Sequence, residues 1–230
     1  LDLARLLVAH QPSAERIEEA LGLLDAIDPF ATTSAPANEL AGALHLRAIE
    51  LARQRIEGAD PASVQARGRE VERAARRALT WAEARASPLT DRFRLELGEA
   101  LLARGSGREA VAYLASISDR GAGLPGGPAR VRLGLARARL LTADDAGAFQ
   151  DLLELAESLD APRGPGEPIR ADAFWEAWAL LLEILEGQNT MGERSGAIRA
   201  HVLRLRAIDP ALGGEPWRRR IEDVEARLRR

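Results

Sequence analysis

The chain has no cysteine and no lysine in 230 residues. Without cysteine there is no disulfide, no thiolate metal site and no cysteine nucleophile. Without lysine there is no phosphate-loop lysine, no Schiff base and no Ser–Lys dyad, and every basic residue is arginine. Aromatic residues are only 4%, so the core must be aliphatic, built from Leu and Ala. The three histidines are His10, His45 and His201. None forms H-E-x-x-H or a close pair, so each reads as an ordinary helix-surface or loop residue, and neither a metal nor a cofactor is expected. The longest apolar run near the middle of a helix, Ala177 to Leu182, is far short of the ~20 residues of a membrane span. No run alternates with period two, which leaves no strand pattern.

Charge excludes more. The net charge is −3, whereas a general nucleic-acid or acidic-membrane binder is usually basic, so no nucleic acid is expected as a partner. The densest basic cluster, Arg218-Arg219-Arg220 with Arg227, Arg229 and Arg230, is interleaved with Glu222, Asp223 and Glu225. It reads as a solvated capping face. Gly121-Ala-Gly123-Leu-Pro-Gly126 satisfies G-x-G-x-x-G literally. A dinucleotide site needs a preceding strand and an unbroken helix start; here a helix precedes and Pro125 interrupts, so the stretch reads as a linker. Asp144-Asp145 opens a helix, where acids favour the dipole, and reads as capping and not as metal ligation. Trp175 and Trp178, at helical spacing, read as core.

What the chain does carry is helical periodicity with legible punctuation. Proline precedes expected helices at Pro61, Pro88, Pro128, Pro168 and Pro216, because its fixed φ suits the first turn. Asp60 and Ser87 add capping oxygens, and Gly58, Gly105 and Gly187 sit near helix ends. The periodicity predicts helices over Leu1 to Ala9, Ser13 to Ile27, Ala37 to Ile56, Pro61 to Ala86, Pro128 to Leu141, Asp144 to Leu159, Pro168 to Glu186, Ser195 to Ile208 and Pro216 to Arg229. Phe93, Leu97 and Leu101 define one further helix, and Ala110, Val111, Leu114 and Ile117 another, joined through Gly105-Ser106-Gly107 as an antiparallel hairpin. The helix from Pro168, apolar on most sides, should be the most buried. The last helix has a single stripe, Trp217, Ile221, Val224 and Leu228, as a terminal cap requires.

The hairpin resembles a tetratricopeptide repeat, whose pattern is W-x2-L-G-x2-Y, then A-x3-F, then a closing Pro. Leu97-Gly98-x2-Leu101 and Ala110-x3-Leu114 match its two parts. Arg94, Leu101 and Ala122 stand where the Trp, Tyr and Pro would be. Leu133-Gly134 repeats the first signature 36 residues on, with Ala146 at the right offset and Gln150 at the aromatic place. Ala26-Ile27-Asp28-Pro29 recurs as Ala207-Ile208-Asp209-Pro210. Close helix crossing would explain the small residues Gly98 and Ala110. The resemblance implies an all-α, right-handed α-solenoid of about five helical hairpins with a C-terminal capping helix, one domain over residues 1–230. It also implies a protein or peptide partner in a concave groove. The groove positions would be Arg92, Leu95, Glu99 and Leu102 in one unit and Val131, Leu135 and Arg139 in the next. The Lys and Asn clamp that some members use for carboxyl-terminal peptides is absent.

The expected function is thus a protein–protein interaction scaffold, with a structural spacer or sensor module of a larger bacterial protein as the alternative. An enzyme is disfavoured, since no nucleophile–base pair, metal spacing or phosphate loop stands out. The Ala, Arg and Gly bias is that of a GC-rich bacterial genome. A chain that begins at Leu1 reads as a fragment of a longer protein. A cytoplasmic location is the first reading, and a periplasmic one follows if a signal peptide was removed.

Overall fold

The computed structural model describes residues 2, 4–5, 13–27, 35–56, 61–160, 171–189 and 192–228. The expected Leu1 to Ala9 helix, except at Asp2, Ala4 and Arg5, lies outside them. So do His10, the Asp28-Pro29 repeat, Gly58, the Asp60 cap, the helix start at Pro168, and Arg229 and Arg230. Among the described residues the protein is all-helical, with no strand. The helices are α1 (Ala14–Ile27), α2 (Ala35–Gln54), α3 (Pro61–Ala84), α4 (Thr90–Ala103), α5 (Gly107–Ala115), α6 (Gly127–Leu140), α7 (Asp145–Leu159), α8 (Asp172–Gly187), α9 (Ser195–Ile208) and α10 (Trp217–Arg227). A 3-10 turn, Ser118–Gly121, follows α5. The chain divides into two compact units, Leu1–Leu124 and Pro125–Arg230. Their boundary falls inside the Gly121 to Gly126 stretch read as a linker.

Local chemistry sets the helix ends. Asp144 caps α7, its Oδ1 accepting from the Gly147 N–H at 3.0 Å, which meets one of the donors that a helix start leaves unpaired. Ser87 does not cap α4 directly, since Leu89 is the residue that flanks the helix start. Its Oγ accepts from the Leu89 N–H at 3.2 Å, and its carbonyl accepts from the Thr90 hydroxyl at 2.7 Å. Residues 88–89 therefore form a turn, and α4 begins at Thr90 rather than at Pro88.

In the first unit each helix packs on its neighbour in sequence: α1 on α2, α2 on α3, α3 on α4 and α4 on α5. The core holds Ile17, Ile49, Leu97, Leu101 and Leu114, each at most 1% exposed. Among its described residues His45, Trp81 and Phe93 form an aromatic cluster, with ring centroids 5.2 to 6.3 Å apart. Arg94, in the place of the repeat's tryptophan, acts as a tie. Its guanidinium donates to Asp91 at 3.0 Å, to the Ser116 carbonyl at 3.2 Å and to Glu83 at 3.4 Å. It thereby holds the ends of α3 and α5 to the start of α4.

The second unit is built on α8, ten of whose 16 residues are buried. This helix packs against α6, α7, α9 and α10. Phe174 and Trp175 meet edge to face at 5.1 Å, an arrangement the ring quadrupoles favour. Ile221 and Val224 of α10 are fully buried, while Trp217 and Leu228 are only partly so. The terminal stripe is therefore centred on Ile221 and Val224, and Trp217 covers its edge with Arg220 stacked 5.7 Å above the ring. What enters the core near α8 is instead the turn before α10. Leu212 is fully buried, and a Cβ on Gly213 would lie inside the Trp175 indole.

Gly98 also differs in its neighbour. A Cβ there would meet Leu114 Cγ and Cδ2 at 2.6 Å, so Leu114 and not Ala110 demands the small residue. Gly98→Ala should lower stability by about 1–3 kcal/mol through overpacking. In a double-mutant cycle with Leu114→Ala the two losses should fall short of additivity, because removing the isobutyl group relieves the clash. Strict additivity in urea denaturation would mean the two residues do not meet.

Gly213 and Gly214 separate backbone strain from steric overlap. Both have positive φ, +80° and +75°, but a Cβ on Gly214 meets open space. Gly214→Ala should cost about 1–2 kcal/mol for the left-handed backbone alone. Gly213→Ala should cost distinctly more and lower the melting temperature further, since it adds displacement of Trp175.

Candidate functional site

Acidic residues buried at helix interfaces are the first feature that the apolar pattern does not foretell. Glu72, Glu96, Asp151 and Glu176 are each less than 10% exposed, and each is met by arginine. Arg53 of α2 reaches Glu96 at 2.6 Å and Glu99 at 3.0 Å on α4. Glu72 of α3 accepts from Arg76 Nε at 2.8 Å and pairs with Arg104. Arg76 continues to Glu109 at 2.6 Å and to the Tyr113 hydroxyl on α5 at 3.3 Å. Arg139 of α6 meets Asp151 of α7 at 2.8 Å and donates to the Gly147 carbonyl at 2.9 Å. Arg137 meets Glu176 of α8. On α10, Arg220 clasps Glu183 with two hydrogen bonds, at 2.9 and 2.7 Å. That bond to Glu183 raises the arginine's pKa. The terminal arginines thus include structural members, although Arg219 is exposed.

The expected groove positions fall into three groups. Leu95 and Val131 are buried, 0% and 3% exposed, so they pack the core and do not line a surface. Glu99 and Arg139 stand partly exposed but are engaged within the protein, by Arg53 and by Asp151. Arg92, Leu102 and Leu135 are partly exposed. Arg92, Leu95, Glu99 and Leu102 belong to the first unit; Val131, Leu135 and Arg139 belong to the second.

A concave site exists elsewhere. Between α1, α2 and α3 lies a cavity of about 310 Å³. Ile17 and Leu21 of α1, Ala48 and Ala52 of α2 and Ala74 of α3 form its apolar walls. Arg55, Arg73 and Arg77 surround it together with Glu18 and Glu70. Arg77 pairs with Glu18 at 3.2 Å, and Arg55 lies 3.7 Å from Glu70. Both pairs join side chains more than a third exposed, so solvent screens them.

His45 lines this cavity and is itself only 3% exposed. It lies against Trp81 and Phe93 in the core, not on a helix surface as its sequence context suggests. Burial first, then the charges of Arg77 and Arg85, lowers its pKa from 6.5 to about 4. The imidazole is therefore neutral at pH 7, able to donate from one nitrogen and accept at the other. The sequence does hold the signal: Ala41, His45, Ile49 and Ala52 recur at four, four and three, a buried stripe with histidine in it. His201 is half-buried, 5.2 Å from the Trp178 ring, and its pKa is lowered by burial and then by Arg204. Trp175 and Trp178 are core residues, 2% and 7% exposed. The Gly121 to Gly126 stretch runs from the last residue of the 3-10 turn through a loop to the start of α6. Among the described residues no group of three or more His, Asp or Glu could hold a metal ion, and no helix is long and apolar enough to cross a membrane.

The depressed pKa of His45 has a signed consequence. Between about pH 4 and 6.5 the unfolded chain binds a proton at this site that the folded chain excludes. The stabilisation is complete above about pH 6.5 and declines as pH falls toward 4, by on the order of 3 kcal/mol. His45→Phe should flatten this decline. Urea midpoints at pH 7 and pH 5 for both proteins measure it, and an unchanged slope would place His45 in contact with water.

No protein-family model, curated protein or solved structure matches this chain.

Proposed function

We propose that the protein is a non-catalytic helical-repeat scaffold that binds a protein or peptide across an exposed helical face. The observation that carries this reading is the contact order in the second unit. Helix α6 packs on α7 and also on α8, and α8 packs on α9 and also on α10. Contact between alternate helices is what stacked hairpins produce, because the first helix of each hairpin lies beside the first helix of the next. In such a stack those first helices share one continuous face, and partner binding uses it.

Within each unit taken by itself the face is reduced to side chains that reach solvent: Arg92 and Leu102 on α4 of the first unit, Leu135 on α6 of the second. A second reading, a spacer module with no partner of its own, draws on a different observation. Charged groove positions such as Glu99 and Arg139 are already neutralised by partners within the chain. A scaffold that relied on charge would hold such groups for its ligand.

Panning a displayed random-peptide library against the immobilised protein separates the two. The scaffold reading expects enriched peptides whose affinity drops at least tenfold for Leu102→Glu or Leu135→Glu, with melting temperatures within a few degrees of the parent. Failure to enrich any peptide sensitive to these substitutions would favour the spacer.

A further inference from the structure

We propose that the cavity between α1, α2 and α3 is a binding site for a small monocarboxylate whose apolar body is the size of one branched aliphatic side chain. This site is independent of the groove reading, since none of its residues belongs to the groove positions. Its volume, about 310 Å³, is at the lower end of the range for small-ligand pockets and suits one compact group, not a length of peptide. The walls are aliphatic: Ile17, Leu21, Ala48, Ala52 and Ala74. An occupant with an apolar body removes that surface from water.

The charges around the cavity select the sign. Arg77 is matched by Glu18, and Arg55 faces Glu70. Arg73, the third cation lining the cavity, has no acid within ion-pair distance among the described residues. Among the described residues the lining therefore carries three arginines and two glutamates, an excess of one positive charge that a monoanion neutralises. A guanidinium fork matches the two oxygens of a carboxylate. A dianion such as a phosphate monoester would find a single uncompensated cation and apolar walls. The lowered pKa of His45 comes first from burial and then from the charges of Arg77, which lines the cavity, and Arg85, which does not. The same neutral imidazole supplies a donor or acceptor beside the aliphatic walls, which would orient the ligand.

The test is a titration of the whole chain with 4-methylpentanoate, read from the His45 ring resonances in a proton–carbon NMR spectrum, with 4-methylpentanamide as the uncharged control. The expected result is a saturable shift with a Kd of about 1 mM or tighter, at least tenfold weaker for the amide. Arg73→Gln, a change at an exposed side chain, should weaken the acid at least tenfold and leave the melting temperature unchanged. Ala48→Phe should fill the cavity and remove the shift. A short peptide ending in leucine with an intact terminal carboxylate forms the second arm. Tighter binding of that peptide assigns the site to a chain terminus, and tighter binding of the small acid assigns it to a metabolite; both uphold the carboxylate chemistry. No saturation by either ligand, equal affinity for acid and amide, or undiminished binding by folded Arg73→Gln would overturn the proposal.

Discussion

The meeting of a buried carboxylate with an arginine from a neighbouring turn or helix is the constraint on which the packing depends. Glu72, Glu96, Asp151 and Glu176 each sit at an interface where water is largely excluded. A lone carboxylate in such a place costs several kcal/mol, so the arginine must arrive for the interface to close. The hydrophobic attraction around these acids is non-directional and by itself tolerates a slide of one helical turn. The acids do not. Shifting α8 by a turn would carry Glu176 away from Arg137 and leave its charge without that match. The ion pairs thus set register, a role that burial of similar aliphatic stripes performs poorly.

Size complementarity adds the second layer of specification. In a chain with so few aromatic residues, large side chains are seated individually against the smallest ones. Leu114 fits over Gly98, and Trp175 lies beneath the backbone at Gly213. These contacts are local and directional, unlike the diffuse hydrophobic term, and they explain why glycine occurs inside α4 despite its poor helix propensity.

Most of the helical framework is legible in the sequence because apolar spacing and helix punctuation are local signals. The reading of α9 as Ser195 to Ile208 matches the structure, as does Asp144 at the start of α7. The register of contacts is less legible because it depends on side chains far apart in sequence. Nothing near Gly98 announces Leu114 as its neighbour. Leu95 and Val131 lie at positions that a repeat pattern assigns to an exposed groove, yet tertiary packing buries them. The cavity is missed for a related reason: its walls come from three helices and are mostly alanine, a residue too common in this chain to draw notice. His45 could have been found, since it occupies a buried stripe, but a lone histidine carries little weight until the rings of Trp81 and Phe93 are placed beside it.

The arginine seams also fix how the molecule answers to solution conditions. A guanidinium keeps its charge to above about pH 12, whereas a lysine ammonium begins to lose its own near pH 10. A fold pinned by lysine–carboxylate pairs would loosen in mild alkali as well as in acid. Here the cationic half of every such pair is permanent over that range, so the alkaline side is buffered against loss of pairing. On the acid side, the proton that folded His45 excludes works against the fold as pH falls toward 4. The pH response of the protein is therefore lopsided: tolerance toward base, and progressive loosening toward acid.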